Sequence, residues 1–285
     1  MSLSDLHTPA KPEIAEAETV LAALSRAAGL APAELIAAPT GPYVVPELAP
    51  NRIHLSLILP TFNESKNIRS TVYTAANILR GIPGLLFELI VVDDNSPDET
   101  WKLALAETVF IPELRVIRRN SESGLATAVI RGWQAARGNV LAVMDADMQH
   151  PPEVLTQLVT AMQAGADMAV GSRHVENGGV SDWSIFRRMI SRTAQGIGLV
   201  LLPNVVGRVA DPMSGYFMLK REVIAGRALN PTGYKILIEV LARGTAPKVA
   251  EVGYVFRERQ EGESKVSARI YMQYLQHLLR LRLGR

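Results

Sequence analysis

A chain of 285 residues that is 48% apolar and 20% charged can bury a large core and reads as one main globular domain. Its formal net charge of +2 gives no basis for a nucleic-acid partner. The lack of cysteine excludes disulfides and thiolate metal sites and fits a reducing compartment.

Residues 1–50 stand apart from the rest. No basic segment followed by an apolar one opens the chain, so no signal peptide is expected. Pro12 to Ala38, rich in Ala, Leu and Glu, predicts one or two short helices, and Pro39 to Pro50 is a connector punctuated by Pro and Gly. The role of this helical appendage and linker is left open. From residue 51 strand-like and helix-like segments alternate, with strands near 53–59, 86–92, 113–117, 139–144 and 167–171 and helices near 65–80, 98–109, 124–136 and 152–164. Alternation of this kind predicts a mostly parallel, Rossmann-like α/β sheet flanked by helices. Beyond it, Trp183 to Leu202 reads as helix, Met213–Lys220 and Lys248–Phe256 as strands flanking a helix at Lys235–Arg243, and Ala268–Leu283 as a helix with Ile270, Tyr274, Leu278 and Leu281 on one stripe. The domain reading is therefore an appendage over 1–50, a catalytic domain over 51–266 and a basic amphipathic helix over 267–285, which could lead to a membrane region outside this chain. The longest uncharged stretch, Thr193–Gly207, is 15 residues and contains Pro203. A spanning helix needs about 20 apolar residues, so this stretch is too short to cross a bilayer alone.

The richest chemistry follows the apolar run Asn139–Met144, in Asp145-Ala146-Asp147-Met148-Gln149-His150. Side chains two apart on an extended segment point the same way, so Asp145, Asp147 and Gln149 can converge. Two carboxylates and an amide oxygen are hard ligands suited to Mg²⁺ or Mn²⁺, which keep positions open for phosphate oxygens, rather than to Zn²⁺. Alone, so short a motif also describes solvated carboxylates in a loop. It is not alone: Phe87–Val92 ends in Asp93-Asp94-Asn95-Ser96-Pro97-Asp98, and Ile53–Leu59 ends in Pro60-Thr61-Phe62-Asn63-Glu64. Three predicted strands thus deliver polar groups at their carboxyl ends, where open α/β sheets bind ligands. Asp93 and Asp94 should face opposite ways, so one of them at most meets the ligand. His150, followed by two prolines, reads as structural.

These blocks, taken in order with Gly171-Ser172-Arg173, Asp211-Pro212-Met213-Ser214-Gly215 and Gly262-Glu263-Ser264-Lys265, resemble the dolichol-phosphate mannosyltransferase group of family-two glycosyltransferases from about Ile53 to Val266. One departure is Phe62, where that group usually has Tyr. The resemblance implies a GT-A fold and an inverting transfer of a hexose, mannose favoured, from a nucleotide-diphosphate sugar to a polyprenyl or dolichyl phosphate. It implies Asp145, Asp147, Arg173 and Asp211 at the reaction centre, with Asp145, Asp147 and Gln149 on Mg²⁺ or Mn²⁺. Donor-nucleotide contacts fall to Pro60, Phe62, Glu64, Asp94, Asp145, Arg259 and Lys265, and acceptor-phosphate contacts to Arg173, Arg187, Arg188, Ser191 and Ser264. Ser264 by itself also reads as a helix N-cap, and Asp211 before Pro212 as a turn.

A lipid-phosphate acceptor requires meeting a membrane surface, here its cytoplasmic face, peripherally or through a region outside this chain. Residues 183–210 and 264–285 contain no acid and set Arg or Lys among apolar side chains, as interfacial helices do, although such a face also suits packing on the sheet or a homo-oligomer partner. Rival readings are the same reaction with UDP-glucose or another UDP-sugar, a nucleotidyltransferase, or an inactive nucleotide-sugar-binding module. Against the nucleotidyltransferase, Pro60–Ser65 is acidic and polar rather than a Gly-rich basic loop.

Overall fold

The computed structural model describes residues 35–48, 53–180, 196–245, 247–257 and 268–284. In chain order its elements begin with β1 (Leu35–Ile36), β2 (Leu55–Thr61), α1 (Ile68–Arg80), β3 (Phe87–Asp93), α2 (Thr100–Glu107) and β4 (Leu114–Arg118). They continue with α3 (Leu125–Ala135), β5 (Val140–Val143), α4 (Val154–Gln163), β6 (Met168–Ser172), β7 (Gly179–Val180) and, after a helical stretch at 196–201, the short α5 (Pro203–Val206). Last come β8 (Phe217–Lys220), a 3₁₀ turn (Arg221–Val223), α6 (Ile236–Arg243), β9 (Val249–Gly253), β10 (Val255–Phe256) and α7 (Ala268–Arg282).

Among the described residues eight strands form one sheet in the order β1-β4-β3-β2-β5-β8-β6-β9, with β10 paired to β7 apart from it. β2 and β3 are buried at every position, as the unbroken apolar runs required of strands covered on both faces. One face carries α1, α2 and α4, whose Val72, Ala104 and Leu158 pack on Leu57, Leu89 and Ala142. The other carries α3 and α6, with Val129, Trp133 and Leu237 packed on Ile58, Val92 and Phe217. α1, α2 and α4 each bury one stripe, whereas α3 and α6 are buried around most of their circumference, and burial of a large apolar side chain is worth about 1.5–3 kcal/mol.

The exception to parallel order positions the site. β8 runs antiparallel between β5 and β6, pairing Val143 with Phe217 on one side and Met168 with Leu219 on the other. The turn that enters β8, Asp211–Tyr216, therefore lies at the edge where β5 and β6 end.

Within the span read as appendage and linker, residues 35–48 are docked on the domain. β1 pairs with β4 and Val45 is fully buried. The Gly226 amide donates to the Val45 carbonyl at 2.9 Å and the Leu229 amide to that of Tyr43 at 2.9 Å. At the other end Tyr274 and Leu278 of α7, two residues of the predicted stripe, are buried with Leu202, Val206, Met213 and Ile238. There His277 meets Glu239 across 2.7 Å, both buried. The helix predicted over Trp183–Leu202 is seen at 196–201, and its earlier part lies outside the described residues. No helix among the described residues is long and apolar enough to cross a membrane.

Candidate active site

The carboxyl edge gathers the polar groups. Where β2 ends, the Thr61 hydroxyl donates to Asp93 Oδ2 at 2.9 Å, and Pro60 is buried in the strand opposite Val92. Phe62, in the turn after β2, is 44% exposed. Asn63 has φ of 55°, a left-handed turn that Asn tolerates and that swings the chain back toward β3. There the Asn63 amide donates to Ser96 Oγ at 3.0 Å and the Glu64 amide to Thr100 Oγ1 at 2.9 Å. Glu64 is buried and accepts from Asn67 Nδ2 at 2.9 Å.

The adjacent carboxylates at the end of β3 do divide. Asp93 is fully buried and spends its oxygens on the Ser96 amide at 2.8 Å, the Ser96 hydroxyl at 2.6 Å and Thr61, so it shapes the turn. Asp94 takes Arg119 Nε at 2.6 Å on one oxygen and the Gly124 amide at 2.6 Å on the other. Burial pushes the Asp94 carboxyl up, against the pull of the Arg119 guanidinium.

After β5 the chain turns through Met148, with φ of 61°. Asp147 and Gln149 are buried and the Asp145 side chain is 30% exposed. The Gln149 amide donates to Asp147 Oδ1 at 3.1 Å, and Gln149 Nε2 donates to the Arg257 carbonyl at 3.1 Å. The second bond fixes the amide so that Oε1 is the end turned away from that carbonyl. No group of three His, Asp or Glu side chains placed to hold a metal ion occurs among the described residues. Two carboxylates and an amide oxygen within five residues are nonetheless the hard donor types that suit a cation which also takes ligand oxygens. His150 stands behind them, its ring 5.0 Å from that of Tyr216 and edge-on to Tyr254 and Phe256. Its Nδ1 accepts from the Asp145 amide at 3.2 Å, and burial pushes the imidazole down to about 4, so the ring is a neutral buttress near pH 7.

Across the turn entering β8 lies the cationic half. Arg173, just past β6, forks onto Asp211 with Nε to Oδ2 at 2.6 Å and Nη2 to Oδ1 at 2.8 Å, and its own amide donates to Oδ2 at 3.1 Å. Asp211 is fully buried. Burial would raise its carboxyl, but the hydrogen bonds and charge of Arg173 win and hold it below its ordinary range. Asp211, expected at the reaction centre, holds Arg173 through both oxygens and orients the guanidinium. Arg187, Arg188, Ser191, Arg259, Ser264 and Lys265 lie outside the described residues.

Three contributors escaped the sequence reading. A Cβ on Gly215 would sit 3.3 Å from Asp145 Oδ2 and 3.4 Å from His150 Cε1, so the last residue of Asp-Pro-Met-Ser-Gly is small because Asp145 approaches it closely. Lys235, at the start of α6, donates to the Met213 carbonyl at 2.8 Å and lies over the Tyr234 ring. Burial, then the nearby Arg173 charge, pushes its ammonium down to about 7. Arg119 carries no motif, and only the pairing of β3 with β4 brings it to Asp94.

A sheet of this order, with acidic and polar turns on β2, β3 and β5 and a buried Arg–Asp pair across an antiparallel strand, defines a GT-A type α/β domain. The chain belongs to glycosyl transferase family 2, whose model matches residues 56–226. It is 45% identical over 227 residues to a dolichol-phosphate mannosyltransferase of Pyrococcus furiosus, a match covering 80% of this chain and 63% of that protein. This chain thus spans less than two thirds of that relative's length. The dolichol-phosphate mannosyltransferase of Saccharomyces cerevisiae is 35% identical, with 80% of this chain and 87% of that one covered. A polyprenol monophosphomannose synthase of Mycolicibacterium smegmatis is 37% identical, with 74% and 80% covered. Among solved structures, glucosyl-3-phosphoglycerate synthase of Mycobacterium tuberculosis with Mn²⁺, UDP and glucosyl-3-phosphoglycerate superimposes with a TM-score of 0.59 at 22% identity, covering 81% of this chain and 80% of that one. The same enzyme with Mg²⁺ and UDP gives 0.60.

Proposed function

We propose that the protein transfers a hexose, mannose favoured, from a nucleotide-diphosphate sugar to a polyprenyl or dolichyl phosphate with inversion at the anomeric carbon. The names of its relatives support the substrate class. The observation that carries the chemistry is the close approach of Asp145 to Gly215, the end of the turn that begins with Asp211 and its partner Arg173. An acceptor phosphate oxygen attacks the sugar's anomeric carbon, the bond from that carbon to the diphosphate breaks, and the nucleoside diphosphate leaves with the electron pair. A phosphate monoester has its second pKa at about 6, so the nucleophile is ionised near neutral pH and needs no general base. It needs a cation to position it, and the reading assigns that part to the Arg173 guanidinium, whose Nε–Nη2 edge Asp211 holds in place.

Asp145, Asp147 and Gln149 would hold Mg²⁺ or Mn²⁺, which when bound offsets the charge growing on the departing diphosphate. On the donor side the reading assigns Phe62 to stack on the base, Pro60, Glu64 and Asp94 to border base and ribose, and Arg259 and Lys265 to the diphosphate. Arg187, Arg188, Ser191 and Ser264 are assigned to the acceptor phosphate. The acid-free segments 183–210 and 264–285 are assigned to the cytoplasmic face of a membrane, and residues 51–266 to the catalytic domain, with 1–50 and 267–285 flanking it.

The test is a panel of GDP-mannose, UDP-glucose and UDP-N-acetylglucosamine against a short polyprenyl phosphate with Mg²⁺ or Mn²⁺. Transfer from GDP-mannose that stops in EDTA and in Asp147→Asn is expected. Full transfer in excess chelator, or a wild-type rate for Asp147→Asn, refutes the metal assignment. Preferred transfer from a UDP-sugar refutes the choice of mannose.

A further inference from the structure

We infer that the N-terminal strap, residues 41–44, is part of the nucleotide site, acting on Asp94 through a chain of ion pairs in which Arg119 and Arg131 are buried and Glu122 is half-buried; the inference rests on the proposed role of Asp94 toward the donor nucleotide. The first link is Arg119, whose side chain is 1% exposed. Its guanidinium holds Asp94 and also donates to the Gly124 carbonyl at 3.0 Å, to Thr127 Oγ1 at 3.0 Å and to Glu122 Oε2 at 3.3 Å. With its donors taken, Arg119 cannot turn without breaking the loop that also gives Asp94 the Gly124 amide.

The second link is Glu122, which Arg131 grips with Nε at 3.0 Å and Nη2 at 2.5 Å. Arg131 is the third link, a buried side chain on the exposed-to-core flank of α3. It donates to the Gly41 carbonyl at 3.0 Å and lies with its guanidinium carbon 4.4 Å from the centre of the Tyr43 ring. Gln134, one turn on, donates to the carbonyls of Pro42 at 2.8 Å and Val44 at 3.0 Å. The strap thus closes over the far end of the relay, with Tyr43 as its lid. A bidentate Arg–carboxylate link transmits orientation as well as charge, because two parallel bonds fix both planes. Loss of the lid hydrates Arg131 and loosens Glu122, and the 119–124 loop then no longer holds the Asp94 carboxylate in one orientation.

The experiment uses the full chain with GDP and with UDP, each titrated in Mg²⁺ by calorimetry, alongside steady-state transfer and thermal melting. Glu122→Gln keeps the shape and removes the charge shared by both arginines. It should weaken nucleotide binding and raise donor KM by about tenfold, the size of one charge-assisted hydrogen bond, with kcat and acceptor KM within about twofold. Tyr43→Ala should shift the same two quantities in the same direction by about fivefold, while Tyr43→Phe, which keeps the ring over Arg131 and loses the hydroxyl's hydrogen bond to Glu122, restores about half of the loss. Melting temperatures lowered in Glu122→Gln and Tyr43→Ala with nucleotide affinity unchanged would make the strap a packing element and overturn the inference. Asp94→Asn separates the two levels. If it leaves nucleotide affinity unchanged, the reading of Asp94 fails and the inference with it; if it weakens binding and the strap variants do not, the relay alone fails.

Discussion

Asp211→Asn should separate folding from chemistry at the cationic half of the site. The wild-type carboxylate is fully buried and accepts three bonds of 2.6, 2.8 and 3.1 Å from Arg173. Asparagine replaces one acceptor oxygen with an N–H donor, which faces another donor on the fixed fork. Breaking one side of a buried charge pair costs about 3–5 kcal/mol, because the remaining charge is stranded out of water. A drop of roughly 10 °C in melting temperature is expected for a chain of this size. The sign of the pH dependence follows from the carboxyl being held below its ordinary value of 3.8. Its contribution is complete above that value and is lost as pH falls toward the depressed folded-state pKa, so the gap between wild type and variant should narrow toward pH 3. Urea unfolding at pH 7 and pH 3 measures it. Paired apolar replacement, Arg173→Met with Asp211→Leu, should recover most of the stability and none of the activity. A single variant within about 1 kcal/mol of wild type, or a double variant that still transfers sugar, refutes this account.

Gly215→Ala should lower kcat by about tenfold and raise the metal concentration needed for half-maximal rate, since its methyl crowds Asp145; unchanged metal dependence would argue against that close approach. Lys235 loses its charge as pH rises through about 7, so a rate that uses its ammonium should fall between pH 6 and pH 8, and Lys235→Met should give a low, flat profile. A wild-type profile in Lys235→Met would remove Lys235 from the site. Reversal of Arg280 and Arg282 to Glu should weaken co-sedimentation with anionic liposomes, each basic residue near such a surface being worth about 1 kcal/mol. Binding unchanged by that reversal and by high salt would leave α7 as a packing helix.

The regular elements were legible because each is local. Phe87–Val92 has no polar break except Glu88, and the structure neutralises that residue with Ser56, Arg115 and Arg137 at the strand's buried foot. The acidic turns were legible for the same reason, since alternation on a strand end decides which of Asp93 and Asp94 faces inward. What escaped depends on pairings between segments far apart in sequence. Met213–Lys220 looks like any strand, and nothing in it announces that it runs antiparallel between β5 and β6. Arg119 and Lys235 become part of the site only through that kind of long-range closure. The stretch 39–50 has the composition of a linker, yet the carbonyls of Gly41, Pro42 and Val44 are all taken by side chains of α3.

The register of β6 with β9 bears on where this domain can be cut. The family match ends at residue 226, whereas β6 pairs along its whole length, Met168 with Val249 through Ser172 with Gly253. A fragment trimmed to 56–226 would expose as a bare edge a strand whose five residues are all buried, a template for joining another chain edge to edge. It would also lose Glu251, whose carboxylate takes the Ala210 amide at 3.0 Å and steadies the backbone immediately before Asp211. The span that the family model matches is therefore shorter than the span that keeps this sheet edge covered, and β9 is the chain's own guard of that edge.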